Sequence, residues 1–321
     1  MGDAVADIII LSFNRAQETV AAIESALEQE GVAKKVWVLD QNSDARNLAI
    51  IEAFCAGKDV HLEKVGRNLG VAGGRNYLSH LGRAPYIVSL DNDAVLADKR
   101  VVQRAVEYLQ QNQTLAAISF QILNYTTGEI DELSWVHPKG VRHRWNDEFD
   151  TVKFVGAGHA LVRKYFEAVG GYDDRLFFCW EELDLAYRLI NLGLKIRYVP
   201  SLKVLHKVSP ELRVRWQGGR FYYHVRNRLY LHAKYGTPAL ETAVFALGYI
   251  MKGAYNGVLR QAIRGIWDSV EMTTHFRRET PDWRRYLPNA VARGYIAEHD
   301  IKLRGSLVNR VRKELLARLP N

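Results

Sequence analysis

The run Tyr86-Ile87-Val88-Ser89-Leu90-Asp91-Asn92-Asp93-Ala94-Val95 decides how this chain is read. A short apolar stretch ends in two carboxylates one residue apart. Like charges that close are costly unless something positive lies beside or between them. On extended backbone, alternate residues point the same way. Asp91 and Asp93 are then placed to hold a hard divalent cation, or to divide a cation and a sugar hydroxyl between them. Mg2+ and Mn2+ favour oxygen ligands and share them with substrate phosphates. Surface turns also contain D-x-D; the position after a buried run is what singles this one out.

Outward from that run, strand and helix signals alternate. Strands are expected at "ADIIILSF" (6–13), "KKVWVLD" (34–40), "VHLEKV" (60–65), "PYIVSLD" (85–91) and "LAAISFQIL" (115–123). Helices are expected at 16–30, where Val20, Ile23, Ala26 and Leu27 share a face, at 48–55, from about Gly73, and at 99–111. The β-branched apolar strands are those of a sheet buried on both faces. The β-α-β-α order predicts an α/β fold, a Rossmann-like, mostly parallel sheet with helices on both sides. Ligands of such sheets bind beyond the carboxyl ends of the strands, where Asp40 and Asp91 fall.

Residues 125–153 are polar and irregular, a long loop or an antiparallel excursion. Pattern returns at 152–171, in "WEELDLAYRLINLG" (180–193), and in two short strands, "KIRYV" and "LKVLH". Beyond His206 the chain reads as mainly helical. This divides it into a sheet region, 1–210, and a basic helical region, 211–321. Within the latter, "ALETAVFALGYIMKGAYNGVL" (239–259) carries Glu241 and Lys252 and reads as a buried or interfacial helix. In 301–321, Leu303, Leu307, Val311, Leu315 and Leu319 form one stripe flanked by arginines, a basic amphipathic helix.

Composition narrows the class. The 321 residues are 48% hydrophobic and 25% charged, as in ordinary globular proteins. Two cysteines, Cys55 and Cys179, exclude a disulfide framework and fit a reducing compartment. The N-terminus lacks the basic lead of a signal peptide. No run reaches the ~20 apolar residues needed to span a bilayer. These features give a cytoplasmic expectation. The net charge of +8 is uneven: residues 207–321 hold 21 Lys+Arg against 9 Asp+Glu, and the rest 23 against 27. The basic end suits an anionic partner such as a membrane surface, or is a solvated helical face.

Two further groups can carry chemistry. Glu181, Glu182 and Asp184 cluster where a helix begins, with Arg188 four residues after Asp184. Acidic residues favour helix N-termini, and Asp184–Arg188 is an ordinary i,i+4 pair. A carboxylate beside Phe177, Phe178 and Trp180 also suits a general base of raised pKa. His206 closes a strand, where it is a structural residue or completes a metal shell.

Taken together these stretches resemble the inverting family-2 glycosyltransferases of GT-A fold. The resemblance lies in "IIILSFNRAQE", "VLDQNSD", "GRNLGVAGGRNYL" with "YIVSLDNDAVL", and the segment from Phe154 to His206 containing "GGYDDRLFFCWEELD". It covers about residues 6–206, and "HVRNRLYLHAKYG" (224–236) looks like the tail of the rhamnosyl- and galactofuranosyl-transferring branch. It implies Mg2+ or Mn2+ as cofactor and a nucleoside-diphosphate sugar, UDP- or dTDP-linked, as donor. The acceptor is a glycan, a lipid-linked glycan or a small molecule. Asp40 resembles the contact to the nucleotide base, beside Asn14 and Arg15. Asn68, Arg75, Asp91 and Asn92 fall in the nucleotide-sugar segment, with Arg75 toward the diphosphate. Asp93, with Asp91 and His206, resembles the metal site. Glu182 stands where the family commonly has the aspartate base, with Asp184 as the alternative.

The expected activity is inverting, metal-dependent sugar transfer in cell-surface polysaccharide or glycoconjugate synthesis, or on a small natural product. A nucleotidyltransferase needs a glycine-rich loop after the first strand, which "SFNRAQE" lacks. A non-catalytic nucleotide- or RNA-binding protein would use the basic end with Trp216, Phe221, Tyr222 and Tyr223, but no RNA-binding motif is present, and no nucleic acid is expected. The basic helices are expected to meet the inner face of a membrane, or to cap the sheet or a second subunit of a homodimer.

Overall fold

The computed structural model describes residues 3–207 and 219–300. The amphipathic segment expected at 301–321 and Trp216 lie outside the described residues.

Four parallel strands begin the sheet: β1 (Ala6–Ser12), β2 (Lys34–Asp40), β3 (Val60–Lys64) and β4 (Tyr86–Leu90). They alternate with α1 (Ala16–Leu27), α2 (Ala45–Cys55) and α3 (Gly70–Leu81). A short β5 (Ala94–Leu96), α4 (Val101–Gln111) and β6 (Leu115–Asn124) follow. Next come β7 (Phe149–Thr151), β8 (Gly158–Val162), α5 (Arg163–Ala168), α6 (Glu181–Asn191) and β9 (Lys195–His206). The nine strands form one sheet of order β3-β2-β1-β4-β8-β6-β9-β5, with β7 also on β9. β8, β5 and β7 run antiparallel to their neighbours and the others run parallel. The α/β class and the mostly parallel sheet are as expected.

The sheet is buried on both faces. Ile8, Ile10, Val36, Val38 and Val88 pack under α1, α2 and α4. Ile9, Leu39, Ile87 and Leu161 pack under α3, α5 and α6. Residues of opposite parity on one strand therefore serve opposite cores, as the pleat requires.

Three expectations are corrected. The two strands expected before His206 are one. Pro200 cannot donate to a ladder, and the register with β6 jumps there, from Phe120 opposite Val199 to Gln121 opposite Lys203. Residues 91–93 are a turn, closed by the Ala94 N–H donating to the Asp91 carbonyl at 3.1 Å, so the two carboxylates do not share one extended face. The helix expected from Gly73 starts at Gly70, whose φ of +75° no side chain adopts cheaply.

Between residues 219 and 300 the chain is mainly helical: α7 (Arg220–Lys234), α8 (Ala239–Tyr255), α9 (Leu259–Glu279) and α10 (Ala290–His299). α7 packs on α8 and α9, and α10 on α6. α8 is not the buried helix that its apolar sequence allowed. Leu240, Leu247, Ile250, Met251 and Tyr255 are exposed, as are Leu259, Ile263, Trp267 and Val270 of α9. Among the described residues no helix is long and apolar enough to cross a membrane.

Candidate active site

A cleft at the carboxyl ends of β1 and β4 gathers charged side chains from five parts of the chain. At its floor is Arg75 of α3, whose side chain is 2% exposed. Its Nη1 donates to Glu182 Oε1 at 2.8 Å, and its Nη2 to Asp91 Oδ1 at 2.9 Å and to the Gly156 carbonyl at 3.0 Å. Burial works against the guanidinium charge, but the enclosing anionic groups outweigh it and push the pKa up. One buried cation thus offsets the repulsion between the strand-end aspartate and the helix-start glutamate. Gly156 is part of this geometry: a Cβ there would lie 2.6 Å from Glu182 Oε1 and 3.0 Å from Arg75 Nη2.

Asp93 belongs to a second cluster. Its Oδ2 accepts from Arg15 Nη1 at 2.6 Å, and its Oδ1 lies 3.3 Å from His206 Nε2. β5 pairs Ala94 with His206, which brings the histidine to the turn. The other ring nitrogen, Nδ1, is 2.8 Å from Asp131 Oδ2. Burial alone would lower the His206 pKa, but the hydrogen bonds to Asp131 and Asp93 prevail and raise it to about 9. Burial raises Asp93 in turn, and His206 and Arg15 more than reverse this, so its carboxyl sits below its ordinary value. The positive groups that the sequence demanded are Arg75 for Asp91, and Arg15 with His206 for Asp93. The turn sends the two aspartate side chains to different partners, Asp91 to Arg75 and Asp93 to Arg15 and His206.

Asn14 and Arg15, at φ of 56° and 57°, turn the chain sharply after β1. Left-handed non-glycine residues in series store strain and cluster at functional sites. The turn is anchored by Asn14 N–H donating to Ser43 Oγ at 2.8 Å and by Asp44 N–H donating to Asn14 Oδ1 at 3.0 Å. Asp40 lies beneath it, 1% exposed, accepting from both the N–H and the hydroxyl of Ser43. Through Ser43 it braces the Asn14–Arg15 turn from below. Asn92 donates to Thr19 at 3.3 Å, back toward α1. Asn68 accepts from Gly70 N–H and lines a groove of about 1330 Å³ on the outer side of α3, which none of Asp91, Asp93 and Glu182 lines. Neither asparagine joins the charged cluster.

The acidic triplet splits by helix phase. Glu182 faces the cleft against Arg75, its side chain 18% exposed. Glu181 turns inward and is 3% exposed. Burial and then the charge of Glu182 push Glu181 well above the ordinary carboxylate range. The raised acid expected from this motif is therefore Glu181. Asp184 is 0% exposed and ion-paired with Arg188 at 2.8 Å and Lys234 at 2.6 Å, and it accepts from Tyr235 at 2.7 Å. That buried network holds Asp184 apart from the Glu182–Arg75–Asp91 cluster.

Asp131 and Gly156 were missed in the sequence. Asp131 reaches His206 because the 125–130 turn folds back on β6, with Asp131 N–H donating to the Ile122 carbonyl. Nothing local marks it. Gly156 lies in "FVGAG", where a glycine before a buried strand was the available signal.

Among the described residues no three His, Cys, Asp or Glu side chains already form a metal cage. The donor set still fits a small divalent ion. Asp93 supplies oxygen, His206 would supply Nε2 on giving up the proton there, and Asp131 fixes the opposite ring nitrogen in the way ligating histidines are held. Mg2+ and Mn2+ sites with few protein ligands are completed by substrate phosphates and water.

A nine-stranded α/β sheet with acidic, arginine and histidine side chains gathered at the strand ends is the architecture of a GT-A-type fold. The comparisons agree: residues 7–170 match Glycosyl transferase family 2, and the chain belongs to that family. It is a glycosyltransferase. An uncharacterized Haemophilus influenzae protein is 29% identical over 168 residues, 51% of this chain and 90% of that one. The dTDP-rhamnosyl transferase RfbF of Shigella flexneri is 22% identical over 259 residues, 74% of this chain and 84% of its own. Among solved structures, the mannosyltransferase PcManGT from Pyrobaculum calidifontis, in complex with GDP-Man and Mn2+, is similar in fold. Its TM-score is 0.59 at 14% identity, over 98% of this chain and 88% of that one.

Proposed function

We propose that this chain moves a sugar, with inversion, from a UDP- or dTDP-linked donor to an acceptor hydroxyl during surface-polysaccharide or glycoconjugate synthesis. The observation that carries the reading is the Glu182–Arg75–Asp91 cluster facing the Asp93–His206 pair in one cleft. Glu182 is the base. Arg75 holds its Oε1 and orients the carboxylate, and Oε2 takes the proton of the attacking hydroxyl. Arg15 supplies positive charge where the diphosphate departs, while Arg75, buried and bonded to Glu182 and Asp91, stays beside the attacking side instead of the diphosphate that its place in the sequence suggested. Asp93 and His206 would hold Mg2+ or Mn2+, which when bound contributes charge neutralisation to the leaving group. The Asn14–Arg15 turn, braced by Asp40, shapes the nucleotide side.

RfbF supports a dTDP-sugar donor by its name, and the mannosyltransferase neighbour supports Mn2+ by the ion in its complex. In this reading the sheet region, 1–210, binds donor and performs the chemistry. The basic C-terminal region, 211–321, whose described helices are α7–α10, lies against the cytoplasmic face of a membrane near a lipid-linked acceptor. The exposed apolar residues of α8 and α9, with Trp267 and Tyr255 among them, support that contact.

The test is release of nucleoside diphosphate from a panel of UDP-, dTDP- and GDP-sugars, with and without Mn2+. Metal-dependent release from one donor, abolished in Glu182→Gln, is expected. Undiminished release in Glu182→Gln removes that residue from the base role, and no release from any donor counts against the whole reading. Sedimentation with vesicles containing anionic lipid tests the membrane contact.

A further inference from the structure

The base helix α6 opens in an unusual way. Phe177, Cys179 and Trp180 have φ of 57°, 71° and 75°, three left-handed non-glycine residues within four positions. Such conformations persist only where the surroundings over-determine them. Trp180 is the N-cap of α6, and no side chain caps the helix there. The direction in which Glu182 leaves the helix therefore depends on how the preceding turn is held.

What holds it comes from α7, some 50 residues later. Asn227 is 0% exposed, and its single amide nitrogen lies 2.7, 2.8 and 2.8 Å from the carbonyls of Leu176, Phe178 and Cys179. Arg226 Nε donates to Asn227 Oδ1 at 2.8 Å, which fixes the amide with its nitrogen toward the turn. Arg226 Nη2 also donates to the carbonyls of Arg175 and Leu176. Trp180 Nε1 donates to the His224 carbonyl at 3.1 Å, and Tyr223 stacks on Phe177. On its other side the turn is tied to the helix of Arg75, through Val71 N–H donating to the Phe177 carbonyl at 2.6 Å.

We propose that Asn227, oriented by Arg226, is a positioning residue for sugar transfer: it clamps the strained 176–180 turn and so sets Glu182 against Arg75. This rests on Glu182 being the base. It gives a role to the "HVRNR" stretch that the cleft itself leaves unexplained. Neither residue touches the donor side, where Arg15, Asp93 and His206 lie. Loss of the clamp therefore moves the base and leaves nucleotide binding alone.

The experiment compares the full-length parent with Asn227→Ala, Arg226→Met and Glu182→Gln. It measures kcat and donor KM for Mn2+-dependent release from the best donor of the panel, the affinity for UDP or dTDP with Mn2+, and amide hydrogen exchange. The expected result for Asn227→Ala is a kcat at least 10-fold lower, with KM and nucleotide affinity within 2-fold. Exchange should be faster in peptides covering 176–184 and unchanged in β1–β4. Arg226→Met, less buried and less damaging to folding, is expected to show the same split to a smaller degree, and carries the test if Asn227→Ala does not fold. Parent-like kcat in both clamp variants, with Glu182→Gln inactive, overturns the clamp alone. A parallel loss of kcat and nucleotide affinity, with faster exchange throughout, assigns Asn227 to general stability and also overturns it. Normal turnover in Glu182→Gln removes the base, and the clamp with it.

Discussion

Gly156→Ala is the sharpest perturbation of the cleft, because it adds one methyl and removes nothing. The new Cβ would stand 2.6 Å from Glu182 Oε1, whereas ordinary contact begins at 3.4 Å, so about 0.8 Å of movement is required. Arg75 cannot absorb it: its Nη2 is 3.0 Å from the same Cβ, and its buried guanidinium is already bonded to Asp91 and Glu182. The glutamate must therefore swing away, which lengthens its 2.8 Å bond to Arg75. A displacement near 1 Å at a reacting group costs on the order of 100-fold in rate. We expect kcat to fall roughly 30- to 100-fold, or about 2–2.7 kcal/mol of barrier. Overpacking should cost about 1–3 kcal/mol of stability, which a folded domain of this size tolerates. The assay is steady-state release of nucleoside diphosphate alongside urea unfolding. A Gly156→Ala enzyme that folds and turns over within 3-fold of the parent would refute the placement of Glu182 beside Gly156.

Three other outcomes are expected. The folded state holds Glu181 protonated at pH values where an unfolded chain has released the proton, so stability should fall as pH rises above about 4.5; Glu181→Gln should remove that slope and raise Tm at pH 8 in a thermal scan. Burial would raise Asp173, but Lys234 and Arg175 outweigh it and hold its carboxyl far below the ordinary range, so its contribution is complete above about pH 4 and fades as pH falls below that. Asp173→Asn should then cost about 3 kcal/mol at pH 7, because Lys234 loses a buried partner, and much less at pH 2, measured by urea unfolding at both. Asp131→Asn should weaken Mn2+ binding in the presence of UDP or dTDP by about 10- to 100-fold, since the histidine loses the carboxylate that orients it; calorimetry or Mn2+ paramagnetic resonance reads this without turnover.

The fold was legible because its strands are buried on both faces, and β-branched runs such as Ile8-Ile9-Ile10 leave little else for them to be. The strand-end rule likewise brought Asp91 to the cleft. What escaped depends on pairings that no local pattern encodes. β5 and β7 are three residues each and exist only as antiparallel additions to β9. The D-x-D stretch reads as extended until β5 forces a turn before it. Glu181 and Glu182 are the same residue type side by side, and which of them turns inward is settled only by the phase of the helix that starts after Trp180. Asp131 lies 75 residues from His206, and Asn227 lies about 50 from the carbonyls it binds. Their roles appear only once the chain has folded back.

Lys234 joins Asp173 and Asp184 under the surface, with Tyr230 and Tyr235 closing the group. A hybrid enzyme spliced from two relatives near residue 210 would take the lysine from one parent and both aspartates from the other. Unless the two parents agree at all three positions, the seam carries an unmatched ion in its interior. Between parents that differ there, recombination is restricted to crossovers that keep Asp173, Asp184 and Lys234 together.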